Sequence, residues 1–276
     1  MTLVPALPVQ TEIPWAGQRV ALETQWLNAG AGPASAPLMV FLHEGLGSLA
    51  MWKDFPQQVC MAAQCRGLVI SRPGYGQSTP LPAGARWACD FLERQALEVL
   101  PAAFAALGID PQRQPLWLIG HSDGASIALM YASAFASHVA GVVAMAPHCF
   151  VEEVTVASIS ALQAPEVRAP LLARLARYHQ APHAVFEAWS SIWLDPAFRS
   201  WSIADRIPRI GRPILAVQGL DDEYGSLEQV RSIRRALPGT RLLELASCGH
   251  SPHRDQPQAL MAAICDFLNQ NEGDTP

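Results

Sequence analysis

The sequence predicts an α/β fold, a mostly parallel, doubly wound sheet that carries a helical cap insertion. Three observations predict it. Short continuous apolar runs, of the kind buried on both faces of a parallel sheet, alternate with stretches of helical periodicity along the 276 residues. The alternation breaks once, from about residue 150 to 209, where a helical, proline-interrupted segment carries Trp189, Trp193 and Trp201 and no clear strand. A G-x-S-x-G pentapeptide, Gly120-His121-Ser122-Asp123-Gly124, stands where an apolar run turns into a helix.

In chain order, a strand-like Arg19–Leu27 is followed by Asn28–Pro37, a loop rich in Gly, Ala, Pro and Ser. Pro37–Leu42 is a buried strand ending at His43-Glu44-Gly45-Leu46-Gly47-Ser48, with helix expected from about Trp52 to Gln64. Gly67–Ser71 is the next strand. It opens into Arg72-Pro73-Gly74-Tyr75-Gly76-Gln77-Ser78, a loop that glycine and proline keep from being helical. Asp90–Leu107 is an amphipathic helix with Gly108 as its C-cap. The run Pro115–Ile119 leads into the pentapeptide, and Ala125–Ala136 is a helix rich in small residues. His138–Ala146, Pro213–Gly219 and Arg241–Leu245 supply three further strands, and Pro257–Asn269 the last helix. The insertion is too long for a simple connection. It is expected to lie over the carboxyl edge of the sheet, where open α/β sheets bind ligands. Residues 1–149 and 210–276 then form the core domain and 150–209 the cap.

Half the residues are hydrophobic and 16% are charged, which indicates a globular chain; the net charge of −5, without a basic run, gives a nucleic-acid partner no electrostatic support. Met1–Pro8 lacks the basic region and apolar core of a secretory signal, and no apolar run approaches the ~20 residues of a membrane span, so a cytoplasmic location without a membrane partner is expected. Cysteines 60, 65, 89, 149, 248 and 265 form no C-x-x-C pair and read as small buried thiols. His179 and His183 are four apart, but Pro182 between them breaks the helix that would align them, and His250 with His253 lacks a third ligand. Neither a metal nor a cofactor is expected.

A serine hydroxyl is a poor nucleophile unless a base takes its proton, and the base needs a third group to fix its tautomer. Ser122 is the expected nucleophile. The base belongs in a loop after a late strand, where Gly249-His250 follows 241–245; His253, in or beside the next helical turn, reads as a surface or supporting residue. The loop after 213–219 offers Asp221, Asp222 and Glu223. Asp222, three residues past the strand-end glycine, is preferred, with Asp221 as the alternative. The order serine, acid, histidine suits a nucleophile elbow.

On these residues the chain resembles the alpha/beta-hydrolase superfamily over essentially all of residues 20–270. Four blocks carry the resemblance: residues 43–48 with Trp52, residues 72–78, the pentapeptide, and the late aspartate with its glycine–histidine pair. It implies the alpha/beta-hydrolase fold and an oxyanion hole built from the backbone N–H groups of Asp123 and Gly45. Glu44 stands where the family commonly has glycine, Ala125 where it often has a further glycine, and Arg72 where it often has aspartate. Some members take their acid from the region of Glu152 and Glu153. Around the substrate the expectation places Glu44, Arg72, Tyr75, His148 and Tyr224. For Arg72 a scaffold salt bridge and a contact to an anionic substrate group are both open; His148 is either pocket-lining or a hydrogen-bonded structural histidine.

The expected partner is a small-molecule substrate, and the expected function is a serine hydrolase acting on an ester or thioester of a small carboxylic acid. The alternatives are a C–C bond hydrolase of a vinylogous diketone, which uses the same triad, and a triad-bearing receptor with slow turnover. Dehalogenases and epoxide hydrolases of the superfamily have aspartate at the elbow centre, and Ser122 argues against both. Haloperoxidase or acyltransferase chemistry is less favoured. The oligomeric state is open, with a homodimer compatible.

Overall fold

In a computed structural model, which describes residues 6–31 and 38–271, eight strands form one sheet in the order β1-β2-β4-β3-β5-β6-β7-β8. The strands are β1 (Val9–Trp15), β2 (Gln18–Leu27), β3 (Leu38–Leu42), β4 (Arg66–Ile70), β5 (Leu116–His121), β6 (Val139–Met145), β7 (Ile214–Gly219) and β8 (Arg241–Leu245). From β4 to β8 every pairing is parallel, while β2 runs antiparallel to both β1 and β4. Parts of two stretches read from the sequence, residues 1–5 and 32–37, lie outside the described residues.

The apolar runs are strands because helices cover both faces of them. Along β3, Leu38, Val40 and Leu42 enter one core and Met39 and Phe41 the other; along β5, Leu116 and Leu118 are separated in the same way from Trp117 and Ile119. The covering helices are α1 (Phe55–Ala62), α2 (Phe91–Arg94) continuing through a π turn into α3 (Leu100–Ala106), α4 (Asp123–Ala134), α8 (Glu228–Ala236) and α10 (Pro257–Asn271). A short helix, α9 (Pro252–Asp255), precedes α10.

Two elements were not expected. β1 pairs with β2 through a two-residue turn in which Ala16 and Gly17 both have positive φ, 51° and 76°, the geometry that matches hairpin twist. Pro14 demotes this run as a strand, but β1 lies at the sheet edge, where a missing N–H costs no ladder bond. The other is α8, whose polar sequence buries only Gln229, Val230 and Ile233.

Between β6 and β7 the chain forms α5 (Glu153–Ala161), α6 (Pro165–Leu175) and α7 (Pro182–Trp193), then two 3-10 turns. An isolated bridge from Phe150 to Ser202 joins the two ends of this excursion. Trp193 is fully buried, while Trp201 is half-buried and stacks on Phe198. No helix among the described residues is long and apolar enough to cross a membrane.

Candidate active site

Ser122 sits between β5 and α4 with φ 52° and ψ −120°, a strained conformation for a residue with a Cβ. The flanking glycines explain how the chain tolerates so sharp a turn. A Cβ at Gly120 would come within 2.3 Å of the Gly124 carbonyl oxygen, and one at Gly124 within 2.0 Å of the Leu42 carbonyl oxygen. The turn leaves the serine side chain at the carboxyl edge of the sheet, at the start of α4.

His250 arrives from the loop after β8. Its Nε2 lies 2.9 Å from Ser122 Oγ, and its Nδ1 lies 2.9 and 3.0 Å from the two carboxylate oxygens of Asp222. With Nδ1–H donating to the carboxylate, Nε2 is left to accept from the serine hydroxyl. Asp222 also accepts from the backbone N–H groups of Tyr224 (2.8 Å) and Gly225 (3.2 Å) and from the Gln218 side-chain amide (3.0 Å). Burial pushes its carboxyl pKa up, but hydrogen bonds from His250 and Tyr224 and the nearby imidazole outweigh this and hold it below the ordinary value. Asp221 is exposed, and its backbone N–H donates to the Cys248 carbonyl oxygen at 2.9 Å. The Glu223 carboxylate accepts from the His250 backbone N–H at 3.1 Å. Glu152 and Glu153 are committed elsewhere, to Ser226 and Gln229 and to Arg199.

A second imidazole ties the nucleophile turn to the histidine loop. His121 Nε2–H donates to the His250 carbonyl oxygen at 2.6 Å, while Nδ1 faces Glu44 Oε2 at 3.5 Å, an ion-pair rather than a hydrogen-bond distance. Burial raises the Glu44 carboxyl, but the contacts to His121, His253 and His43 pull it well below its usual value. His253 is buried rather than at the surface, its ring 4.8 Å from that of Trp52 and 4.9 Å from that of His121.

A cavity of about 160 Å³ lies over the nucleophile, lined by Ser122, His250, Gly45, Asp123, Glu44, His148 and Tyr224 together with Trp189 and Trp193 of α7. It is small beside the ~300–1,000 Å³ of a drug-sized site. Gly45 lies tight under Trp189: a Cβ there would stand 2.0 Å from the indole nitrogen. His148 is held through its backbone by Ser126, whose hydroxyl donates to the His148 carbonyl at 2.7 Å and accepts its N–H at 3.1 Å. Its ring packs against Trp193, and burial lowers its pKa to about 3. A larger groove of about 630 Å³ runs between residues 81–86 and the start of α7 but contains neither Ser122 nor His250.

Two expected pocket residues are corrected. Arg72 and Tyr75 do not line the cavity over Ser122; both are buried in the scaffold behind it. The Arg72 guanidinium donates to Gln95 Oε1 (2.9 Å) and the Glu44 carbonyl (2.8 Å), lies 3.7 Å from Asp123 and caps the Tyr75 ring at 4.4 Å. Its backbone N–H donates to His43 Nε2 at 3.0 Å, while His43 Nδ1–H donates to the Glu44 carbonyl at 2.7 Å. Arginine is therefore the clamp between the Glu44–Gly45 turn and α4, with Asp123 as its counter-ion. Of the tryptophans in the excursion, Trp189 and Trp193 face the cavity; Gln218, Arg174 and Arg254 also belong to the site, although nothing local in the sequence marks which way they face.

His179 precedes α7 and uses both ring nitrogens locally, toward the Gly76 N–H and the Leu46 carbonyl. No group of three or more His, Cys, Asp or Glu side chains that could hold a metal occurs among the described residues.

Comparison with known proteins gives three kinds of match. The sequence model of the alpha/beta hydrolase family matches residues 39–264. The 2-succinyl-6-hydroxy-2,4-cyclohexadiene-1-carboxylate synthase of Salmonella agona (strain SL483) is 32% identical over 101 residues, 37% of this chain and 34% of that protein, so the match spans about a third of the relative's length. Among solved structures, a thermophilic esterase from Thermogutta terrifontis is similar with a TM-score of 0.71 at 19% identity, covering 96% of this chain and 99% of the other. The enol-lactonase from Burkholderia xenovorans LB400 is similar with a TM-score of 0.70 at 21% identity, covering 91% and 97%. At such identities the likeness concerns the fold.

Proposed function

The chain belongs to the alpha/beta hydrolase family, and from that premise we propose that it is a serine hydrolase cleaving an ester or thioester of a small carboxylic acid. The observation that carries the reading is the line of contacts from Ser122 Oγ through the His250 ring to Asp222, 2.9 Å at each step. Ser122 attacks the acyl carbonyl while His250 Nε2 takes its proton. Asp222 holds the ring in the tautomer that can accept it and offsets the charge of the imidazolium. The backbone N–H groups of Gly45 and Asp123 receive the oxyanion, an interaction worth about 10²–10³ in rate per donor. His250 returns the proton to the leaving group, and a water activated by the same ring releases the acid. The small cavity under Trp189 and Trp193 supports a short acyl group.

Ser122→Ala is expected to abolish labelling by a fluorophosphonate probe and to lower kcat on p-nitrophenyl acetate by roughly 10⁶-fold. Wild-type rates in this variant overturn the proposal. A single turnover followed by arrest in the unmodified protein indicates a receptor instead.

A second reading, cleavage of a C–C bond in a vinylogous diketone, is kept because the curated relative is named for making a cyclohexadiene carboxylate rather than for cleaving an ester. Product identification with a dienol diketone substrate separates the two.

A further inference from the structure

The cavity over Ser122 is polarised. The two carboxylates that line it each have a counter-charge or an imidazole beside them: Asp123 has Arg72 at 3.7 Å, and Glu44 lies between His121 at 3.5 Å and Arg254 at 3.6 Å, while Asp222, behind the lining, has His250. At the outer end the lining includes Arg174 of α6 and Arg254 of α9, both exposed. Arg174 has no ion-pair partner among the described residues; Glu166, which borders a neighbouring cleft with it, is beyond ion-pair distance. An unpaired guanidinium at the mouth of a cavity walled by Leu171, Leu175 and Trp189 is in a position to concentrate an anion there. The His148 ring, on the same cavity, leaves Nδ1 buried without a hydrogen-bond partner among the described residues, a state that favours a polar ligand over an apolar one.

We infer that the substrate carries a carboxylate, held at the cavity mouth by the unpaired Arg174 and by Arg254, which it shares with Glu44, while its scissile carbonyl lies over Ser122. Arginine suits this because its planar fork of donors matches a carboxylate. Arg72, for which the sequence leaves a contact to an anion open, is buried in the scaffold and does not line this cavity. The substrate class that follows is the half-ester of a short dicarboxylic acid, or an ester of a short hydroxy acid. This inference rests on the serine hydrolase reading, and the experiment below separates the two.

Two pairs of esters give the test by kcat/KM. Monomethyl succinate, with the anion on the acyl side, is set against methyl pentanoate. 3-Acetoxypropanoate, with the anion on the alcohol side, is set against butyl acetate. At least one anionic ester is expected to exceed its neutral partner by tenfold or more, and the pair that does so identifies the side. Arg174→Gln and Arg254→Gln should each lower that anionic-to-neutral ratio roughly tenfold. Arg19→Gln, at an exposed position on β2 beside the edge strand, should leave the ratio unchanged. Ratios near one, or ratios indifferent to both cavity variants, overturn the inference while Ser122-dependent turnover of the neutral esters upholds the hydrolase reading. If no ester is turned over, binding to the wild-type chain decides, read by the fluorescence of Trp189 and Trp193. Succinate must bind more tightly than succinamide and lose that margin in the arginine variants, and equal affinities overturn the carboxylate site.

Discussion

Asp221 and Asp222 are neighbours in sequence with opposite surroundings. The Asp222 side chain is 1% exposed and receives hydrogen bonds from His250, Gln218 and two backbone N–H groups; Asp221 is exposed to solvent. If the proposed relay operates, Asp222→Asn presents a donor to the ring and disfavours the required tautomer, so kcat should fall by about 10⁴. Asp221→Asn should stay within about twofold, since surface substitutions away from a network do little. Steady-state kinetics on one ester compares them, and the reverse ranking would remove Asp222 from the mechanism. The sequence offers both acids at one loop, and spacing alone prefers the second. What separates them physically is the Gln218 amide and the turn at Tyr224–Gly225, which are contacts rather than patterns. Arg72 shows the same limit: its position after a strand end is readable, but its direction depends on Gln95, 23 residues later.

At the scale of the element, the turn from β5 into α4 is a local consequence of its glycines, which is why strand, serine and helix are legible in that order. Gly124→Ala would drive a Cβ to 2.0 Å from the Leu42 carbonyl oxygen, part of the neighbouring strand and unable to step aside. It should cost about 3 kcal/mol, at the upper end for overpacking. Gly239→Ala, with nothing within 4 Å of the added carbon, should stay within about 0.5 kcal/mol. Urea denaturation of the two variants checks this, and equal stabilities would mean that the backbone at the turn adjusts freely. Elements with little to bury stand out least in the sequence: β1 at the sheet edge, with Pro14 in it, and α8, amphipathic but polar, with three buried residues.

At the scale of the whole molecule, burial holds several imidazoles neutral. Desolvation is the largest cause for His43, His148 and His253, and lowers the last two to about 3 from 6.5. In the unfolded chain these rings take a proton near pH 6.5, whereas in the folded chain His148 and His253 do so only near pH 3. Between those values the unfolded state binds more protons, so stability falls as pH falls, by up to about 1.4 kcal/mol per pH unit for each ring. The lowered carboxyl of Asp222 adds to the same trend at still lower pH, since its stabilisation is lost as pH drops through its folded value. Tm measured from pH 7.5 to pH 5 should therefore decrease steadily, and His253→Phe should flatten the curve. A Tm that is level or rises on acidification contradicts the neutral, buried state of these rings.

By itself the sequence determined the fold class, the alternation of strand and helix, and the excursion between β6 and β7, because apolar periodicity and glycine sterics act over a few residues and are written locally. Only the tertiary structure decided which aspartate meets His250, that Arg72 turns inward to Asp123 and Gln95, and that Arg174 and Arg254 face the cavity over Ser122. Each of these depends on packing between segments far apart in the chain, where burial and pairing, rather than spacing, choose among chemically similar side chains.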